Sequence, residues 1–187
     1  MTGRGFSDTK ESMGDWFEST CKFSECKTYR YALRRTFANI TRRSHAKYVA
    51  WIMLNPSTAD ESNNDPTIER CERYARRWGY DGIIIANLFA LRSTDPKALY
   101  EHPDPIGPDN DLYIHSAALA SDLLIAAWGV HSKLKKREET VLSLLRHDNL
   151  YALKVTKGGH PSHPLYLRSD LKPTLWRASD TRELEKS

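Results

Sequence analysis

The sequence predicts an α/β fold. It reads as a single domain with a mainly parallel four-stranded central sheet, helices on both faces, and an added N-terminal edge strand. Three observations predict this. Short apolar runs at 47–54, 82–88, 122–127 and 150–155 are nearly continuous, which suits strands covered on both faces. Helix-patterned segments separate them, so strand and helix alternate. The 187 residues are enough for one domain with a full core.

Residues 1–28 are polar with scattered aromatics and read as a flexible arm. Residues 29–37 form the expected edge strand, basic on one face. The run at 47–54 is followed by a loop at 55–64. Asp65-Pro66 then opens a helix, with Asp as cap and Pro in the first turn. Ile68, Cys71, Tyr74 and Trp78 give that helix its buried stripe, and Gly79 ends it. After the strand at 82–88, Asp95-Pro96 starts a short turn, and 102–110 is a Pro- and Asp-rich loop. A helix at 111–120 precedes the strand at 122–127, which Trp128-Gly129 closes. A helix at 132–146 leads to the last strand, and 176–187 reads as a flexible tail. The domain therefore spans 29–175.

Hydrophobic residues make up 40% and charged residues 28%, a balance that suits a soluble protein. The longest apolar runs are too short to cross a bilayer, and no basic-then-apolar leader opens the chain. Three cysteines without a second pair complete no zinc spacing, so free thiols in a reducing cytoplasm are expected, with no metal. The net charge of +4 names no partner. Its distribution is more telling: 29–47 holds Arg30, Arg34, Arg35, Arg42, Arg43 and Lys47 and no acid. Lys133, Lys135, Lys136 and Arg137 fall in the first turns of the helix expected at 132–146. Cations there oppose the helix dipole, so the cluster is either a solvated face or a phosphate site.

In a parallel sheet, ligands bind beyond the carboxyl ends of the strands. The residues there are Asn55-Pro56-Ser57, Asn87 to Phe89, Trp128-Gly129 and 156–165. Asn55 either holds a water by its carbonyl oxygen or satisfies a turn. Asp60 and Asp65 are nearby carboxylates; Asp65 suits the cap, which leaves Asp60 as the open candidate for a base. Asn87 ends an apolar strand, so its amide must find partners in the protein or in a ligand such as a nucleobase edge. Phe89 offers a stacking face or a core ring. His160-Pro161-Ser162-His163-Pro164-Leu165 follows a Gly pair and is stiffened by two prolines. His160 there is a candidate donor to a developing negative charge.

These segments resemble, in order, three motifs of the uracil-DNA glycosylase-like superfamily. Leu54-Asn55-Pro56-Ser57 is similar to its water-positioning motif, in the Asn-Pro form. Ile83-Ile84-Ile85-Ala86-Asn87 is similar to its base-recognising strand. His160-Pro161-Ser162 with Pro164-Leu165 resembles its last motif, in which His bonds the base and Leu enters the duplex. The resemblance runs from about 48 to 166 and implies that superfamily's fold. Over more positions, from LNPSTAD to HPLYL, the chain is similar to a bacterial and phage family of unknown function (DUF1643), which brings no activity. Asn55 stands where the best-known branch has Asp, and His163 is an extra residue inside the last motif.

The resemblance implies a cofactor-free, monofunctional DNA glycosylase acting on a modified or damaged base flipped from the stack. Asn55, His160 and Asp60 would be catalytic. Asn87, Phe89, Ser57 and Ser162 would hold the base, and Leu165 would be the wedge. Lys133, Lys136, Arg137 and Arg34 would hold DNA phosphates. The alternatives are a nucleoside or nucleotide hydrolase, or a non-catalytic binder of modified DNA.

Overall fold

The computed structural model describes residues 16–37 and 45–180; Arg42 and Arg43 of the basic segment lie outside them. In chain order the elements are β1 (Glu18–Phe23), β2 (Arg30–Thr36), β3 (Tyr48–Met53), α1 (Pro66–Arg77), β4 (Gly82–Asn87) and α2 (Ala98–Glu101). Then come α3 (Asn110–Leu119), β5 (Leu123–Ala126), a 3-10 segment (Val130–Lys136), α4 (Arg137–Leu144) and β6 (Leu150–Ala152). A 3-10 turn (Pro164–Tyr166) and β7 (Thr174–Arg177) complete the series.

The expected four-stranded, mainly parallel sheet is overturned. The strands form one seven-stranded mixed sheet in the order β1-β2-β4-β3-β5-β6-β7. β1/β2, β2/β4 and β6/β7 pair antiparallel, whereas β3/β4, β3/β5 and β5/β6 pair parallel. The strand at 29–37 is not the edge, because β1 covers it. The sheet recruits β1 from the segment read as an arm, and β7 runs into the segment read as a tail. Both are edge strands that bury little. In β1 only Cys21 is fully buried, and β7 has no fully buried residue. Their composition is therefore polar, and backbone pairing holds them instead of an apolar face.

β3 and β4 are buried at every position, as strands between two layers must be. Alternation sends Val49, Trp51, Met53, Ile83 and Ile85 to one face, where Ile68, Cys71 and Tyr74 of α1 meet them. Ala50, Ile52, Ile84 and Ala86 point to the other face, among Ile114 of α3 and Val141 of α4. Trp51, Tyr74 and Trp78 stack with centroids 5.3–6.0 Å apart. Each such pair adds about 0.5–1.5 kcal/mol beyond its buried area. A Cβ on Gly82 would lie 2.4 Å from the Arg35 carbonyl oxygen and 2.4 Å from the Tyr48 ring, so β2 and β3 close only around glycine.

The helix expected at 132–146 is also corrected. Lys135 and Lys136 sit at φ 52° and 55°, in the left-handed region, so no α-helix passes through them. α4 starts at Arg137 and carries Glu138 and Glu139 in its first turn. Acids already complement its dipole, and the lysines lie outside it.

Candidate functional site

A cavity of about 500 Å³ opens at the carboxyl end of the parallel strands, on the α1 face. Each strand end contributes to it for a local reason. β3 runs out at Met53 and delivers Asn55 and Ser57. β5 ends before Trp128 and Gly129. The loop after β6 turns back through Gly159 at φ 84°, a conformation that favours glycine. Thr156 N–H donates to His160 O at 2.9 Å and Ser162 N–H to Lys154 O at 2.8 Å. That hairpin returns Ser162 and His163 to the cavity. α1 presents its first turn, where the Asp65 carboxylate accepts from Thr67 N–H and Ile68 N–H, both at 2.9 Å, as a cap should.

Asn55 is oriented by the protein. Its Nδ2 donates to Ser93 O at 2.8 Å and to Pro56 O at 3.2 Å. Two carbonyl acceptors fix which end of the amide is nitrogen. Its Oδ1 has no partner among the described residues and is left for the cavity, where it can accept from a water or a ligand.

His163 caps the 3-10 turn, its Nδ1 accepting from Leu165 N–H at 3.4 Å. Burial holds its pKa below the usual histidine value, against the pull of Asp65. A neutral ring with a hydrogen-bonded Nδ1 carries its proton on Nε2, which makes His163 a donor on the cavity wall.

His160 is placed differently. Its Nδ1 lies 3.2 Å from Glu138 Oε2, and neither side chain is more than 14% exposed. Ser132 Oγ donates to the same oxygen at 2.6 Å, and Trp128 Nε1 donates to Glu138 Oε1 at 3.2 Å. His160 belongs to this bonded cluster and does not line the cavity.

Asn87 is 1% exposed, and neither amide atom has a partner among the described residues. Ile83 and Ile85 point to the α1 face, so alternation sends Asn87 there too, beside Met53 of the cavity wall. Arg30 is also 1% exposed and lines the cavity. Its Nη1 donates to Ala59 O at 2.7 Å, while Nε has no partner among the described residues. Burial lowers its pKa, opposed by Cys21 and Asp65. A guanidinium this buried, with one backbone acceptor and no carboxylate bonded to it, leaves donor capacity for a ligand.

Several residues are placed where their expected roles do not fit. Asp60 Oδ1 accepts from Ser62 N–H, Asn63 N–H and Asn63 Nδ2, which lowers its pKa, and it lies outside the cavity. It is a loop cap and a poor base. Phe89 is fully buried in the core, so its ring offers no stacking face. Arg137 is buried, its Nε donating to Leu88 O at 2.6 Å and its Nη2 paired with Asp111. It holds α4 to α3 and to the end of β4, so it cannot grip phosphate. Arg34 bonds the Tyr48 hydroxyl at 2.7 Å. Arg34 pairs in register with Ile84, and Ile84 with Ala50 of β3, so Arg34 sits about 10 Å short of that strand's cavity end, on the face away from α1. Lys133 and Lys136 are exposed, and Leu165 is half-buried in the 3-10 turn. Ser57 and Ser162 do line the cavity.

Of the residues named in advance, the fold therefore brings Asn55, Ser57 and Ser162 together; Asn87 is on the same face but sits behind the wall beside Met53 and does not itself line the cavity. The fold adds Arg30, Asp65 and His163. His163 was visible as the second histidine of the proline loop. Arg30 had no signal beyond its charge. Among the described residues no three His, Cys, Asp or Glu side chains converge as metal ligands, and no helix is long and apolar enough to cross a membrane.

The model of one family, described as a protein of unknown function (DUF1643), matches residues 30–165. No curated protein and no solved structure matches.

Proposed function

The chain belongs to the DUF1643 family, and from its cavity we propose that it hydrolyses an N-glycosidic bond, releasing a modified or damaged base from DNA. The observation that carries this reading is the Asn55 carboxamide, tied down by its nitrogen with its oxygen left unpaired in a cavity walled by a neutral histidine. The first of the motifs resembling the uracil-DNA glycosylase-like superfamily, Asn55-Pro56-Ser57, supports it; in the last, His163 takes the place expected of His160. A volume of about 500 Å³ lies in the range of small-ligand sites.

In the proposed step, water bound to Asn55 Oδ1 adds to the anomeric carbon as the C–N bond breaks and its electron pair leaves with the base. An amide accepts no proton, so bond breaking runs ahead of attack and the sugar passes through a cation-like state. The water's proton passes to solvent once the C–O bond forms. His163 Nε2–H donates to the departing base anion, a role that a neutral imidazole fills without losing its proton. The unpaired Asn87 amide offers the paired donor and acceptor that a base edge requires.

Purified protein incubated with duplexes carrying uracil or hypermodified pyrimidines, then treated with alkali, reports abasic sites. Turnover that drops about 10²-fold or more in Asn55→Ala is expected, by analogy with removal of one positioned polar group. No abasic site across a broad panel, from folded protein, leaves binding without chemistry.

A second reading, hydrolysis of free nucleotides, is favoured by Arg30, whose guanidinium suits a phosphate as well as a base carbonyl. Base release from mononucleotides with intact duplexes would select it.

A further inference from the structure

A second concavity, of about 440 Å³, lies on the outer side of α1 and is lined by Arg70, Arg73, Tyr74, Arg76, Arg77 and Ser169. We propose that this groove binds the phosphate backbone of a nucleic-acid strand whose base occupies the cavity. The partner rests on the reading above; the groove itself does not.

Arg70, Arg73 and Arg77 recur at helical spacing and share one face. The loop after the 3-10 turn lies against them. Arg70 Nη2 donates to Leu167 O, Tyr74 Oη to Arg168 O, and Arg77 Nη1 to Ser169 O at 2.7 Å. The Arg70 and Arg77 contacts each use one donor of a guanidinium that has five; Arg70 Nε is buried, and the remaining Nη groups stay available. Arg73 is 70% exposed and pairs with Glu69 at 3.2 Å.

The charge balance favours an anion. α1 and 167–172 together carry six cations and three carboxylates. One of the three, Glu72, is buried and turned to Trp16 and Asn64, accepting from each at 2.7 Å. Planar forks in a row along a groove match the repeating phosphates of a strand.

Continuity with the cavity gives the strand a path. Thr67, Ile68, Ser162 and His163 line the cavity. One to two turns further along α1, about 8 Å by helix rise, the arginines line the groove. Between them the Tyr166 ring is 91% exposed, the form of a surface on which a base stacks.

The test is anisotropy of labelled, unmodified oligothymidylate across salt, read on the full chain. Three contacts to a single strand, from Arg70, Arg73 and Arg77, predict an affinity that falls about eighteenfold between about 50 and about 200 mM salt. Arg73→Gln with Arg77→Gln removes two contacts and reduces that fall to about threefold, with weaker binding at low salt. Lys133→Gln with Lys136→Gln leaves the slope unchanged. Circular dichroism confirms that the variants are folded; if the double variant is not, Arg73→Gln alone, at the most exposed position, must still flatten the slope. An unchanged slope in folded arginine variants, flattening by the lysine pair instead, or no binding by the wild-type chain overturns the groove. The probe carries no cleavable base, so a failure of catalysis leaves this readout intact.

Discussion

Asn87→Val is the sharpest perturbation of the site. Asn87 is 1% exposed at the end of a strand buried at every position, and both of its amide atoms lack a partner. A buried amide without bonds costs about 1–3 kcal/mol on protein scales. Valine removes that cost, suits a strand, and adds little volume. We expect the variant to be more stable by about 2 kcal/mol. For a chain of this length each kcal/mol raises Tm by about 2–4 °C, so Tm should rise by about 4–8 °C. Thermal and urea unfolding followed by circular dichroism measure it, with an unchanged urea m-value showing that compactness has not altered. The same variant should lose base release. A Tm that falls by a few degrees would refute the reasoning, because it would mean that the amide is already satisfied inside the protein. More stability with less function is the signature of a residue kept for its ligand.

Three further outcomes follow. The folded pKa of His163 lies below its ordinary 6.5 because of burial, so the unfolded chain binds the extra proton first. Its contribution to stability is complete above about 6.5 and is lost as pH falls from there through the lower folded value; His163→Gln should flatten that acid limb in urea titrations run from pH about 7.5 to 5. Arg137→Leu breaks the bonds to Leu88 O and Asp111 and should cost about 2–4 kcal/mol in urea unfolding while leaving oligonucleotide salt dependence alone; the reverse pattern would restore it as a phosphate ligand. Hydrogen bonds from Ser24 and Thr28 lower the pKa of the exposed Cys26 to about 7, whereas burial pushes Cys21 up to about 11, so iodoacetamide near pH 7 should label Cys26 first, with a rate that is half-maximal near that pH by mass spectrometry.

Local signals in the chain were enough for whatever rests on burial or caps. β3 and β4 are apolar at nearly every position because both faces are covered, and that pattern survives in one dimension. The Asp65 cap and the Ile68, Cys71, Tyr74 stripe are contacts within one helix or against one face. Edge strands carry no such mark: 18–23 and 174–177 pair through backbone, which every sequence possesses. The break at Lys135 and Lys136 was hidden because neither is glycine, although both adopt left-handed φ. Arg137 read as a surface cation because its partner, Asp111, is 26 positions away on another helix. Asn55 needed Ser93, which only the fold brings near.

The two histidines of one proline loop show what residue type cannot decide. His160 and His163 are three positions apart and equally suited to donate a hydrogen bond. Glu138 accepts from Ser132 and Trp128 and sits 3.2 Å from His160, so that group of side chains is satisfied without a ligand. His163 spends only Nδ1, on a backbone N–H, and keeps Nε2 for the cavity. Arg30 Nε and both atoms of the Asn87 amide are unspent in the same way. Buried polar groups normally find partners, and a ligand that supplies the missing bonds accounts for Arg30 Nε on the cavity wall and for the Asn87 amide behind it, though not for Trp51 Nε1 or Asn110 Oδ1, which are unspent elsewhere. His160 is then the brace, tying the loop to α4 so that Ser162 and His163 keep their place. Replacing it should loosen the site through position, not by removing a group that meets the substrate.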